Sequence, residues 1–256
     1  MIPLVVIAGP TASGKTALAI KVAKKVGGEI VSADSMQIYK KMNIGTAKPD
    51  KEEMDGVLHH LIDYVDPSCD YSLSDYVNEA KRVIADIWGR GKIPILAGGT
   101  GLYIDHVVYN IKLTDTPADI NLRASLMSEA EEKGGEKMLL RLRDIDPPAA
   151  EKLHSNDIKR IVRALEIYEL TGRTKTQWDK ESKQTENIYD FLYFAIATPR
   201  EILYNRIDMR VDRMVDSGLF EEAASLEGDF SRDNTAAQGI GYRETGYYLR
   251  GLATRD

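Results

Sequence analysis

The sequence has one cysteine, Cys69, among its 256 residues, so it holds no internal disulfide framework and no CxxC pair for zinc, and it fits a reducing compartment. Cys69 reads as a structural residue rather than a reactive thiol. Long apolar runs are missing too. The stretch from Ile2 to Ala8 is broken by Gly9 and Pro10, has no basic n-region, and falls far short of the roughly 20 residues that span a bilayer, so a cytoplasmic protein without a membrane segment is expected. Positive charge is in short supply: 34 Lys and Arg against 40 Asp and Glu leave a net charge of −6. A uniformly basic nucleic-acid binder is thereby excluded, and any RNA site must be a local patch. No internal repeat or low-complexity segment is present. What remains is an ordinary globular composition, 43% hydrophobic and 29% charged, in a chain long enough for one α/β domain or for a core domain with a smaller one inserted.

The apolar, β-branched run from Leu4 to Ala8 turns into a glycine-containing loop, which reads as a buried parallel strand. A helix should follow from Lys15, with Leu18, Ala19, Val22 and Val26 at helical spacing and Gly27 and Gly28 as its stop. Glu29 to Ala33 is a second strand ending at Asp34. Ser74 is placed as the N-cap of a helix carrying Val77, Ala80, Ile84 and Ile87 on one face, ended by Gly89 and Gly91, and Ile93 to Ala97 is the next strand. Strand, helix and strand recurring with short turns predict an α/β fold: a P-loop NTPase-like parallel sheet with flanking helices and the site at the carboxyl ends of its strands. From about Lys112 the sequence becomes helix-forming and charged, punctuated by Pro117, Pro147 and Pro148, which predicts an inserted all-helical domain over 112–185 between core segments 1–111 and 186–256. Phe191 to Ala197 reads as a buried strand returning to the sheet. A helix from about Arg200 to Ser217 then carries Leu203, Ile207, Val211 and Met214 as an apolar stripe, and Gly218 stops it.

Gly9-Pro10-Thr11-Ala12-Ser13-Gly14-Lys15-Thr16 matches GxxxxGK[ST] at every defined position and lies between a predicted strand and a predicted helix. Backbone N–H groups of such a loop converge on phosphate oxygens, Lys15 neutralises the terminal phosphates, and Thr16 would place its hydroxyl on a Mg2+ ion. The loop alone does not separate a nucleoside triphosphate from a simple diphosphate. A typical nucleotide hydrolase adds an apolar strand ending in an acid, but here Ile93 to Ala97 runs into Gly98-Gly99-Thr100-Gly101-Leu102-Tyr103, which weakens that reading. Asp34 is the candidate acid or base, in competition with a plain turn-capping role, and Gln37 could read a base edge with its amide. Arg206, Arg210 and Arg213 form one helical stripe, either to close over a diphosphate or to pair with Asp208 and Asp212 on a solvated face.

Four stretches in this order, the phosphate loop, Ser32 to Tyr39, Asn43 to Pro49 and Gly98 to Tyr103, closely resemble those of tRNA dimethylallyltransferases. Family-like sequence continues in Asn156 to Glu166, Arg206 to Gly218 and Gln238 to Arg243, so the resemblance covers nearly the whole chain. It implies a Mg2+-dependent enzyme that moves the dimethylallyl group of dimethylallyl diphosphate to N6 of adenine 37, next to the anticodon of tRNA, with release of diphosphate. It makes Asp34 the general base, puts Thr11 near the reacting atoms, and gives Lys15, Arg206 and Arg210 the leaving group. It places Asp34, Ser35, Met36, Gln37, Thr100, Arg123, Lys159, Arg160, Arg163, Gln238, Tyr242 and Arg243 in contact with the tRNA anticodon stem-loop. For the 159–163 segment a physical reading agrees: Ile158, Ile161, Val162 and Leu165 form a core face, leaving Lys159, Arg160 and Arg163 to project. A monomer is expected. Relatives continue past the Gln238 to Arg243 region with more basic helical sequence, whereas this sequence stops at Asp256; if shortened, it should lose tRNA affinity before diphosphate binding. A P-loop kinase of a nucleoside or small metabolite is the alternative from another reaction class, and a non-enzymatic RNA-binding module a third.

Overall fold

The computed structural model describes residues 1–113, 119–183, 186–230 and 235–254. Pro117, Thr185 at the expected domain boundary and the last two residues of the 251–256 tail lie outside the described residues. The chain divides into two compact units, Met1–Val108 with Asn187–Asp256, and Tyr109–Glu186.

The first unit is built on a five-stranded, wholly parallel sheet of β1 (Ile2–Ala8), β2 (Gly28–Ala33), β3 (His59–His60), β4 (Ile93–Gly98) and β5 (Tyr189–Ala195), in the order β3-β2-β4-β1-β5. Its apolar strands alternate between two covered faces. On one, Ile7, Ile30 and Ile95 pack on Ala19, Ile20 and Ala23 of α1 (Lys15–Val26). On the other lies α2 (Leu73–Gly89), which buries Tyr76, Val77, Ala80, Val83, Ile84 and Ile87. Tyr76 donates to the Ser32 carbonyl at 3.0 Å and stacks at 3.8 Å on Tyr103 of α3 (Gly101–Val108). The cap of α2 is Ser72, not Ser74: Ser72 and Asp75 stand three apart and satisfy each other's backbone N–H groups, which Ser74 has no acid placed to do.

The second unit is helical throughout its described residues: α4 (Ile120–Lys133), α5 (Gly135–Ile145), α6 (Pro147–Ala150), α7 (Ile158–Thr171) and α8 (Lys175–Ser182). Its core gathers Leu126, Met138, Leu142, Ile161, Val162 and Leu165. Pro147 opens α6 behind an Asp146 cap, a position where a missing N–H costs nothing.

The first unit ends in α9 (Arg200–Asp216), α10 (Leu219–Ser225) and α11 (Tyr242–Leu249), with a short 3-10 turn at Ala236–Gln238. Two expectations fail here, the burial of the returning strand and the packing of Cys69, while the helix expected from Arg200 is present. The strand read as buried is an edge strand, with Leu192 64% and Phe194 52% exposed, because β1 pairs with only one of its sides. The long helix α9 buries no residue at all, so its apolar stripe is only half covered. Cys69 is free and exposed rather than packed. Among the described residues no helix is long and apolar enough to cross a membrane.

Candidate active site

The carboxyl ends of β1, β2 and β4 deliver three loops to one place, and close backbone contacts lock them together. The Gly9 N–H points to the Gly98 carbonyl at 3.4 Å, and the Thr100 N–H donates to the Ala33 carbonyl at 3.0 Å. A side chain at Gly98 would put its Cβ 2.1 Å from the Ala33 oxygen, so the end of β4 must be glycine. Within the phosphate loop Ala12 and Gly14 take positive φ, 61° and 88°, and Gly14 opens α1 with no side-chain cap. The first N–H groups of a 12-residue helix are thus left for an anion.

Lys15 rests with Nζ 3.4 Å from the Pro10 carbonyl. Burial pushes its ammonium below the usual lysine value; the charge of Asp34 opposes this and that of Arg210 adds to it. Burial likewise lowers Arg210, with Asp34 and Glu53 opposing. The sequence-distant groups Lys15, Asp34 and Arg210 therefore share one electrostatic environment. A cleft of about 1060 Å³ is lined by Gly14, Lys15 and Thr16 on one side and by Arg206, Arg210 and Arg213 on the other. Among the described residues none of these arginines makes an ion pair with Asp208 or Asp212, so the stripe faces the cleft rather than its own helix neighbours. Arg206 is exposed, whereas Arg210 is half-buried and donates from Nη2 to the Thr46 carbonyl at 3.0 Å. Two buried polar groups, Ser13 Oγ and Arg210 Nε, have no hydrogen-bond partner among the described residues.

Asp34 accepts the N–H groups of Met36 and Gln37 on Oδ1, at 3.0 and 3.3 Å, which fixes the carboxylate and leaves Oδ2 without a partner among the described residues. It caps its turn and faces the cleft lysine together, so the two sequence readings do not compete. Gln37 commits its amide nitrogen to the carbonyls of Thr46 and Ala47, at 3.2 and 3.1 Å, so the atom it can offer a base is its carbonyl oxygen. Thr100 Oγ1 accepts the Ser35 N–H at 3.0 Å and so braces the Asp34 turn. Thr11 sits exposed on the phosphate loop, and Ser35 and Met36 are half-buried.

The remaining RNA candidates divide by exposure. Gln238 and Arg243 are exposed, Arg243 with its guanidinium on Glu244. Tyr242 departs from expectation: it is 2% exposed, donates its hydroxyl to Glu222 at 2.5 Å and packs against Gly45 instead of projecting from the surface. In the helical unit Lys159 and Arg160 are exposed, as the periodicity of α7 predicts. Arg163 does not simply project: it donates to Glu166 at 2.8 Å, and Arg123 donates to the same carboxylate oxygen at 2.9 Å, because Glu166 is fully buried and draws both cations toward it.

Sequence reasoning missed Glu222, whose carboxylate receives the N–H groups of Asn43, Ile44 and Gly45, and Lys48, nearly buried, with Nζ 2.6 Å from both the Tyr39 carbonyl and Asp63. Lys48 lay inside a noted motif. Nothing local marks Glu222, which stands 177–179 residues from its partners.

A phosphate loop opening an uncapped helix, an acid at the end of the adjacent strand and arginines across the cleft define the phosphate-binding α/β class. Comparison with known proteins narrows this. Residues 37–256 match the family described as IPP transferase, and residues 2–67 match isopentenyl transferase. The tRNA dimethylallyltransferases of Acetivibrio thermocellus and Carboxydothermus hydrogenoformans are each 48% identical, over 99% of this chain and 81% of theirs. Among solved structures, the full-length tRNA isopentenylpyrophosphate transferase of Bacillus halodurans superposes with a TM-score of 0.71 at 42% identity, covering 100% of this chain and 80% of that one. A eukaryotic dimethylallyltransferase acting on tRNA superposes at 0.82 with 33% identity, covering 98% and 64%. The chain belongs to the IPP transferase family.

Proposed function

We propose that this protein transfers the dimethylallyl group of dimethylallyl diphosphate to N6 of adenine 37 in tRNA, next to the anticodon. The observation that carries the reading is the placement of Lys15, which lines one pocket with Asp34 and Gly98 and a larger cleft with Arg210, while β4 ends in glycine where a nucleotide hydrolase would need an acid. The allylic C–O bond breaks, the C–N6 bond forms, and the diphosphate leaves with the bonding pair. Negative charge growing on the diphosphate is met by Lys15, the N–H groups of Gly14 to Thr16 and the Arg210 guanidinium, whose buried Nε–H is otherwise unpaired. Asp34 takes the N6 proton on Oδ2, since Oδ1 is held by the Met36 and Gln37 amides.

The hydroxyl of Thr16, which lines the cleft with Lys15, is the hard oxygen chemistry that suits Mg2+, and a bound Mg2+ held by Thr16 would add further charge neutralisation to the leaving group. N6 is shielded in a paired helix, so the acceptor must be an unpaired loop base extracted into the cleft. Lys159 and Arg160, exposed on the helical unit, supply positive charge for the RNA backbone in a chain that is acidic as a whole.

The test is to incubate the protein with Mg2+, radiolabelled dimethylallyl diphosphate and unmodified tRNA, with ATP and nucleosides in a parallel tube. Label should enter the tRNA and vanish when adenine 37 is replaced, and Asp34→Ala should lower turnover on the order of 100-fold or more while diphosphate still binds. A phosphorylated nucleoside with no labelled tRNA would replace this reading with a kinase.

A further inference from the structure

We infer that Glu222 is a positioning residue for the leaving-group end of the site, acting through the 43–46 loop and Arg210. This rests on the proposed binding of a diphosphate in the cleft. The Glu222 carboxylate accepts three successive backbone N–H groups: Asn43 at 3.0 Å, Ile44 at 2.9 Å to each oxygen, and Gly45 at 3.1 Å, with the Tyr242 hydroxyl as a fourth donor at 2.5 Å. Successive N–H groups converging in this way form an anion nest, here filled by the protein's own carboxylate. Loop geometry follows: the next carbonyl, that of Thr46, receives both Arg210 Nη2 at 3.0 Å and Gln37 Nε2 at 3.2 Å.

One loop is therefore gripped from two sides, its N–H groups by α10 and its carbonyl by α9, and those two helices are joined only by the turn at Ser217 and Gly218. Because α9 buries no residue, packing alone does not fix where Arg210 stands. The Thr46 oxygen gives it a set partner, and Glu222 holds the three residues that lead into Thr46. Gly45 shows how tight the arrangement is: a Cβ there would lie 2.6 Å from the Tyr242 ring and 2.9 Å from Leu219.

The test is the affinity of wild type, Glu222→Gln, Arg210→Ala and the double variant for inorganic diphosphate with Mg2+, read by titration calorimetry, with melting temperatures alongside. The amide keeps the size of the carboxylate but turns one acceptor into a donor facing N–H groups. Glu222→Gln should weaken diphosphate about tenfold when Arg210 is present and not at all when it is Ala, since residues acting as a unit are not additive. Equal losses in both backgrounds, or none in a folded Glu222→Gln protein, overturn the inference and leave the proposed function standing; a wild type that binds no diphosphate overturns both. Should Glu222→Gln fail to fold, Gly45→Ala keeps the carboxylate, shifts the loop and should give the same Arg210-dependent loss, and an Arg210-independent one overturns the inference again.

Discussion

The two helices that line the cleft are held in opposite ways. α1 is pinned by apolar packing, with Ala19, Ile20 and Ala23 buried against Ile7, Ile30 and Ile95 of the sheet, and its N-terminus follows directly from β1 through the phosphate loop. α9 has 17 residues and buries none; Met209 and Val211 stand about half exposed, and its hold on the site is a hydrogen bond from Arg210 to the Thr46 carbonyl. The cleft thus has one wall set by the hydrophobic core and one set by directional polar contacts. Burial tolerates little change in volume but is indifferent to direction, whereas a hydrogen bond fails within fractions of an ångström. Variants on the two walls should therefore fail in different ways.

The largest effect is expected on the packed wall. Lys15→Ala removes the half-buried ammonium and should lower turnover on the order of 100- to 1000-fold and weaken diphosphate binding with it; it should also reduce the alkaline fall in diphosphate affinity, since burial brings the Lys15 titration below the ordinary lysine value. Diphosphate titrations across alkaline pH check both. Ile20→Ala, in the α1 core, should cost about 2–4 kcal/mol of stability in a denaturant melt. Arg210→Ala should instead leave the melt nearly unchanged and weaken the donor about 10- to 100-fold, the scale of a lost charged hydrogen bond. Met209→Ala on the exposed face of α9 should change stability by no more than about 0.5 kcal/mol. Should Met209→Ala destabilise as much as Ile20→Ala, the contrast between the walls is wrong.

The smallest effect concerns the far end of β2, away from Asp34. There Glu29 holds Arg90 through two bonds, at 2.6 and 2.7 Å, and His60 at 2.7 Å. The Arg90 hydrogen bonds, opposed by burial and aided by His60, bring the Glu29 carboxyl from 4.5 down to about 2. A depressed folded value means stability fully present above pH 4.5 and lost as pH falls toward about 2. Melting temperatures over that window should fall less steeply for Glu29→Gln than for the wild type, and parallel slopes would remove Glu29 from the acid response.

Much of the fold was legible because its signals are local. The strand ending at Gly9, the helix beginning at Lys15 and the order of strands and helices follow from apolar runs and glycine stops within a few residues of one another. The two-residue β3 carries too short a pattern to read, and the exposure of β5 could not be read from Phe191 to Ala197, since an apolar run looks the same in the middle of a sheet as at its edge. The α9 helix and its stop at Gly218 were read correctly, but periodicity says which side of a helix is apolar, not whether anything covers it. In the site, the phosphate loop and the Asp34 turn are contiguous and visible; in the helical unit, the pull of Glu166 on Arg123 and Arg163 joins residues up to 43 apart and alters what each arginine offers.

By itself the sequence determined the phosphate loop, the α/β order, the helical insertion and the family, because each is written in adjacent residues or in motifs whose order survives without coordinates. Tertiary structure alone decided that the arginines of α9 face Lys15 across one cleft, that Tyr242 is buried on Glu222, and that Thr46 joins Arg210 to Gln37. The bond from Arg210 to Thr46 alone spans 164 residues, and only the folded chain sets its distance and its burial.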